Sequence, residues 1–205
     1  MSLTVETIVN NPVSSNCHII YDELKKSGVV VDPGSENCHK ILTFIKDNDL
    51  SVDYVILTHE HFDHIWAADK FNVPVLCTKE CKESLKDKKL NLSIFFNQVG
   101  FELNVEAECI EEYEDDFIWN DYRIEFYKNG AHSLGGMMLV LDRYVVTGDF
   151  LIKDLKTVTK LKWSKKEELS VGEKWLRNLQ GKGLIVLAGH GDSFELDNYD
   201  LKKIY

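Results

Sequence analysis

A four-layer αββα sandwich, two mixed sheets packed face to face with helices on the outer faces, is the α/β fold this sequence predicts. Three observations lead to it. Short Val- and Ile-rich runs of strand length recur along the chain. The first half opens on consecutive strands before strands and helices alternate, and the second half largely repeats that order. Sheets assembled this way bury one face on each other and the other under helices. A three-layer α/β sheet is the competing architecture. The length, 205 residues, suits one domain over 1–205.

The elements follow in order. "TVETIVN" (4–10), "NCHIIYD" (16–22) and "GVVVD" (28–32) read as strands joined by Asn, Pro and Gly turns. "VDPG" stops the third. Ser35 then reads as the N-cap of a helix over "ENCHKILTFIKDN", whose Cys38, Ile41, Leu42 and Ile45 share a face. "DYVILT" (53–58) is a buried strand and "HIWAADKFN" (64–72) a short helix; "VPVLC" and "TKECKESLKD" repeat that pair. Segment 87–116 is the least legible, with "NLSIFFNQ" fitting helix or strand. "DFIWNDYRIEFYKN" is a hairpin around Asn120-Asp121, and "MMLVLD" and "YVVTGD" pair around Arg143. "SVGEKWLRNLQG" carries a capping-box pattern, Ser170 with Glu173, and closes on Gly181. "LIVLAGHGD" is the last buried strand.

Composition narrows the function classes. A net charge of −10 argues against nucleic acid as the main partner, because phosphate binding needs clustered cations. No apolar stretch approaches the roughly 20 residues that span a bilayer. The N-terminus lacks a basic start and an apolar core, so a cytoplasmic location is expected. Five cysteines (Cys17, Cys38, Cys77, Cys81, Cys109) form no regular framework and read as reduced, mostly buried thiols. "EAECIEEYEDD" (106–116) carries seven acids and "KDLKTVTKLKWSKK" (153–166) six lysines; each reads first as a solvated face.

The chemistry gathers just past apolar strands: "THEHFDH" after "DYVIL", "NGAHSLGG" after "YRIEFYK", "TGDF" after "RYVV", and "AGHGD" after "LIVL". Loops at strand ends converge on one rim of a rigid scaffold. In an extended segment His59 and His61 point the same way, while Asp63 and His64 enter a helix and turn to a second direction. One short segment therefore has ligands for two adjacent metals. Glu60 points opposite to both histidines and has a supporting or solvent role. His18 and His39 read as core or surface residues, and for Asn16 and Trp66 the sequence leaves packing and lining of the site both open. Gly135 and Gly136 allow close backbone approach.

In this order, "THEHFDH", "GAHSLGG", "GDF" and "GHGD" resemble the metallo-β-lactamase superfamily, in particular its glyoxalase II-like hydrolases; "NCHIIYD" and "VDPG" look like the family's opening strands. The resemblance implies that His59, His61 and His132 hold one metal, that Asp63, His64 and His190 hold the second, and that Asp149 bridges them. Two divalent ions are implied, zinc foremost, with iron or manganese compatible with the same donors. It further implies a hydroxide shared between the metals that attacks a small thioester, ester, lactone or phosphodiester, with Asp63 orienting it. The glycine- and arginine-containing segment that follows the bridging Asp in glyoxalase II proper is missing from "GDFLIKDLKTVTKLKW", and no C-terminal helical domain follows, so a glutathione thioester is not the expected substrate. Lys156, Lys160 and Lys162, shortly after Asp149, are expected to favour an anionic small molecule. An iron oxidoreductase of the persulfide dioxygenase type and a metal-binding protein without turnover are the alternatives.

Overall fold

The computed structural model describes residues 3–113 and 117–205. Six strands form the first sheet in chain order: β1 (Thr4–Val9), β2 (Asn16–Asp22), β3 (Ser27–Val31), β4 (Ser51–Ile56), β5 (Val75–Cys77) and β6 (Ala107–Cys109). β1, β2 and β3 pair antiparallel, and β3 to β6 pair parallel. The second sheet holds β7 (Phe117–Trp119), β8 (Tyr122–Lys128), β9 (Met137–Leu141), β10 (Tyr144–Gly148), β11 (Ile185–Ala188) and β12 (Phe194–Glu195), again in sequence order. Only β10 and β11 are parallel there.

The period-two pattern of the strands sorts the core into layers. Val29, Val31 and Ile56 join Leu139, Leu141 and Val146 between the sheets. Their neighbours Val30 and Val55 point the other way, onto α1 (His39–Asp47), α2 (Phe62–Ile65) and α3 (Lys79–Ser84), which contribute Ile41, Ile65 and Cys81. The outer face of the second sheet packs on α5 (Leu169–Leu179) through Leu169, Leu176 and Leu179. The fold is the expected αββα sandwich. Ile41 is the one fully buried side chain of α1, and truncating such a residue to Ala costs about 2–5 kcal/mol.

Several local expectations hold and several do not. Asn120 (φ +51°) and Asp121 (φ +71°) make the tight turn between β7 and β8, as the Asn-Asp pair requires. All five cysteines are free and buried. Ser35 does not cap α1: the helix starts at His39 behind Cys38, and the buried Ser35 hydroxyl donates to Asn10 Oδ1 at 2.9 Å instead. The helix predicted over 64–72 is split, with α2 ending at Ile65 and a short 3-10 turn at Ala68–Lys70. The Ser170–Glu173 capping box does not form either. α5 begins one residue earlier, at Leu169, and Glu173 is engaged by Arg177 and by the Tyr205 hydroxyl. "NLSIFFNQ" contains a single helical turn, α4 (Ser93–Asn97). Of the acidic run 106–116, positions 114–116 lie outside the described residues, as does Asp116 of the predicted hairpin. Among the described residues no helix is long and apolar enough to cross a membrane.

Candidate metal centre

Five strand ends meet at one rim. β3 delivers Asp32; β4 runs on into Thr58, His59 and Glu60; β8 leads to His132, β10 to Asp149 and β11 to His190. His61 sits at the N-cap of α2 in extended geometry (φ −64°, ψ 141°), so the chain enters the helix immediately after it. This change of direction brings Asp63 and His64 to the rim from a second side, with the His59 and His64 ring centroids 4.1 Å apart.

The seven predicted side chains converge. His59, His61 and His132 each offer an atom within 4.8 Å of the others, as do Asp63, His64 and His190. His61 Nδ1 and His132 Nε2 are 3.2 Å apart. Asp63 Oδ2 lies 3.5 Å from His190 Nε2 and 3.7 Å from His64 Nε2. Asp149 stands between the groups, 3.5 Å from His64 Nε2, 3.6 Å from His132 Nε2 and 3.5 Å from His190 Nε2.

The opposite ring nitrogens are held by the protein. His132 Nδ1 is 3.1 Å from the Val158 carbonyl and His190 Nδ1 is 3.0 Å from the Ser14 carbonyl, so both rings donate from Nδ1. His64 Nδ1 donates to Asp32 at 2.9 Å. The Thr58 hydroxyl donates to Asp32 Oδ2 at 2.6 Å, which leaves its lone pair for His59 Nδ1–H at 3.0 Å. In all four rings Nδ1 is the nitrogen held by the protein and Nε2 turns to the centre. His59 Nε2, His64 Nε2 and Asp149 Oδ1 are buried with no hydrogen-bond partner. Buried polar atoms are ordinarily satisfied, so this set is complementary to a cation.

Electrostatics agree. Burial, reinforced by neighbouring imidazoles, holds His59 and His61 well below the ordinary range, and burial also lowers His132. These rings are neutral, the state in which imidazole is a ligand. Burial opposes the charged forms of Asp63 and His64 as well, but mutual attraction wins. His64, beside Asp149, Asp63 and Asp32, is raised to about 10, and Asp63, beside His64 and His190, is lowered. The lone pair that holds this proton on His64 is the one a cation would take.

The sequence profile described as the metallo-beta-lactamase superfamily matches residues 10–190. The chain belongs to the metallo-beta-lactamase superfamily. The probable metallo-hydrolase YqgX of Bacillus subtilis is 30% identical over 157 residues, 72% of each protein. A probable metallo-hydrolase of Methanocaldococcus jannaschii is 26% identical over 147 residues, 69% of this chain but only 60% of the archaeal protein. Among solved structures, the BLEG-1 B3 metallo-beta-lactamase has a TM-score of 0.84 at 24% identity, with 94% of both chains covered. A di-iron-bound form of TTHA1623 has a TM-score of 0.76 at 20% identity, over 93% of this chain and 94% of that one. At these identities the structural likeness is one of fold. Membership of the superfamily and the His/Asp cluster together indicate a divalent-metal site at this rim.

Around the superfamily motif, further residues find their places. Glu60 is buried, not solvated: its Oε2 accepts the Gly135 N–H at 3.0 Å, pinning the turn that carries His132, and burial raises it to about 7. A Cβ on Gly135 would stand 2.4 Å from the Cys81 nitrogen, which is why that turn needs glycine. His18 is a core residue, between Thr7 Oγ1 and the Ala188 carbonyl, and His39 is exposed. Asn16 packs rather than ligates, donating to the carbonyls of Ala188 and Gly191 and so shaping the loop of His190. Trp66 stacks on Phe101 at 5.0 Å. Lys160 and Lys162 line the cavity beside His61, while Lys156 is exposed and outside that lining. Asp32 and Thr58, which orient two imidazoles, escaped the sequence reading. "VDPG" marked a strand end, and a buried carboxylate there was the available signal.

Proposed function

We propose that this protein is a metal-dependent hydrolase of the glyoxalase II-like type, acting on a small thioester, ester, lactone or phosphodiester. His59, His61 and His132 would hold one divalent ion, Asp63, His64 and His190 a second, and Asp149 would be shared. The observation that carries this reading is the buried, partnerless trio of His59 Nε2, His64 Nε2 and Asp149 Oδ1 at the meeting point of five strand ends. When bound, such ions supply a water acidified to near neutral pH and Lewis acidity at the substrate oxygen. Asp63, kept ionised by His64 and His190, accepts a hydrogen bond from the attacking water and orients it. Asp32, Thr58, Ser14 and Val158 hold the imidazoles in the required tautomers.

Zinc is the proposed ion; imidazole and carboxylate donors suit iron and manganese too. The partner is a small molecule rather than nucleic acid, in keeping with the charge of −10, and the free thiols suit the reducing cytoplasm. Lys160 and Lys162 would meet an anionic substrate directly, with Lys156 adding longer-range attraction.

Elemental analysis of protein purified without added metal, followed by a panel of ester, thioester, lactone and phosphodiester substrates, tests the proposal. About two equivalents of zinc with hydrolysis of one substrate class supports it. The same donor set favours a second reading, an iron-dependent oxidoreductase; iron content with oxygen uptake on a persulfide would replace the hydrolase. A metal-loaded protein inert in both assays would defeat both.

A further inference from the structure

The cavity beside the candidate centre measures about 850 Å³ and reaches His61. Both flanking walls come from segments outside the superfamily motifs. In one, left-handed residues Leu92 (φ +62°) and Gln98 (φ +63°) bracket the single turn of α4. That turn sets Phe96 against Phe62, ring centroids 5.0 Å apart, and leaves Phe95 74% exposed. The other wall holds Leu161 and Trp163, the latter 47% exposed. Large apolar side chains left open to water around a concavity next to a reactive centre mark a ligand surface.

The same cavity gathers cations in an acidic chain. Lys89, Lys160 and Lys162 line it, and none is ion-paired among the described residues. Lys162 Nζ rests 4.6 Å above the Trp163 ring. The two acids of the lining are already engaged: Glu60 by the Gly135 N–H, and Asp87 by the backbone N–H of Lys89 at 2.7 Å and Leu90 at 3.2 Å. Three lysines against two acids leave the lining net positive, and it borders an apolar trough.

We infer that this cleft selects amphipathic anions, and that the substrate is an acyl ester or thioester with a medium-length alkyl chain and a negatively charged leaving group. The inference names the substrate class of the hydrolase reading and rests on it for the bond that is cut. The chain lies along Phe95 and Phe96, and the anion meets Lys89, Lys160 and Lys162. In the hydrolysis, water oxygen bonds to the acyl carbon, the acyl C–O or C–S bond to the leaving group breaks, one water proton passes to the departing alcohol or thiol, and the other is released as the carboxylic acid ionises.

Calorimetric titration of the metal-loaded protein with butanesulfonate, octanesulfonate, decanesulfonate and decyltrimethylammonium reads the cleft without turnover. Affinity should climb with chain length, by up to about fourfold per buried methylene. The cation should bind at least tenfold more weakly than decanesulfonate, on the order of one lost charge contact. Phe95→Ser, at an exposed position, should flatten the chain-length dependence, and Lys160→Gln with Lys162→Gln should erase the preference for the anion. Chain-independent binding, equal affinity for anion and cation, or a dimer that buries Phe95 and dissociates in Phe95→Ser would overturn the assignment. A series of anionic acyl thioesters separates the two readings. Chain-selective sulfonate binding without any turnover would defeat the hydrolase and uphold the cleft; turnover with chain-independent binding would do the reverse.

Discussion

The Asp32 carboxylate lies 2.9 Å from His64 Nδ1 and, through the Thr58 hydroxyl, also reaches His59 Nδ1. One buried acid thus sets the tautomer of an imidazole from each proposed ion's ligand set. Its second oxygen accepts the Thr58 N–H at 2.8 Å, tying the end of β3 to the start of the His-rich loop. Asp32→Asn keeps the shape but presents an amide N–H toward the Thr58 hydroxyl and the His64 ring. Metal affinity should fall about 10–100-fold, as losses of ligand-orienting partners do. Chelator competition measures it; an unchanged affinity would dismiss the orienting role.

Asp149 is the group common to both proposed ligand sets. Asp149→Ala should remove at least one metal equivalent and lower activity more than about a hundredfold, beyond the usual cost of an orienting partner. Elemental analysis alongside kinetics decides, and full occupancy with normal turnover would contradict the shared-ligand assignment.

Gly189 leaves the space that Asp149 occupies. A Cβ there would stand 2.2 Å from Asp149 Oδ1 and 2.9 Å from His64 Cε1. Gly189→Ala should therefore displace the carboxylate, at a strain of about 1–3 kcal/mol. The expected result is weakened metal binding with an unaltered far-UV circular dichroism spectrum; retained affinity would show that the loop yields instead.

His18, outside the candidate ligand set, supplies a pH dependence dominated by its burial. Burial lowers it from 6.5 to about 4, so the native ring is neutral while the unfolded ring takes up a proton below 6.5. Stability associated with His18 is full above pH 6.5 and is lost as pH falls toward 4, by about 3 kcal/mol in all. Urea unfolding between pH 7 and 4 should show a shallower acid loss for His18→Gln than for the parent. Parallel curves would remove His18 from the acid response.

Local spacing carried far in this chain because some geometry is local. The alternation of side chains along an extended segment turned His59 and His61 to one side, and entry into α2 turned Asp63 and His64 to another. Apolar runs marked the strands for the same reason, since Val30 and Val31 must face opposite layers. Capping was misread because it depends on competition. Ser35 had a better partner in Asn10, and Glu173 in Arg177 and Tyr205, all supplied by chain distant in sequence or one turn away. Segment 87–116 is the least legible, and within it α4 is held by packing of Phe96 on Phe62 and Trp66 rather than by any periodicity.

By itself the sequence determined the order of strands and helices, the strand-end placement of seven candidate ligands and the glycines that let loops approach, since periodicity and steric freedom reside in neighbouring residues. Tertiary structure alone decided that Asp32 orients two imidazoles, that Glu60 is buried on Gly135, and that Phe95, Trp163 and three lysines share one cavity with His61. These depend on which strand ends become neighbours when two sheets close on a common core, and no local pattern encodes that distance.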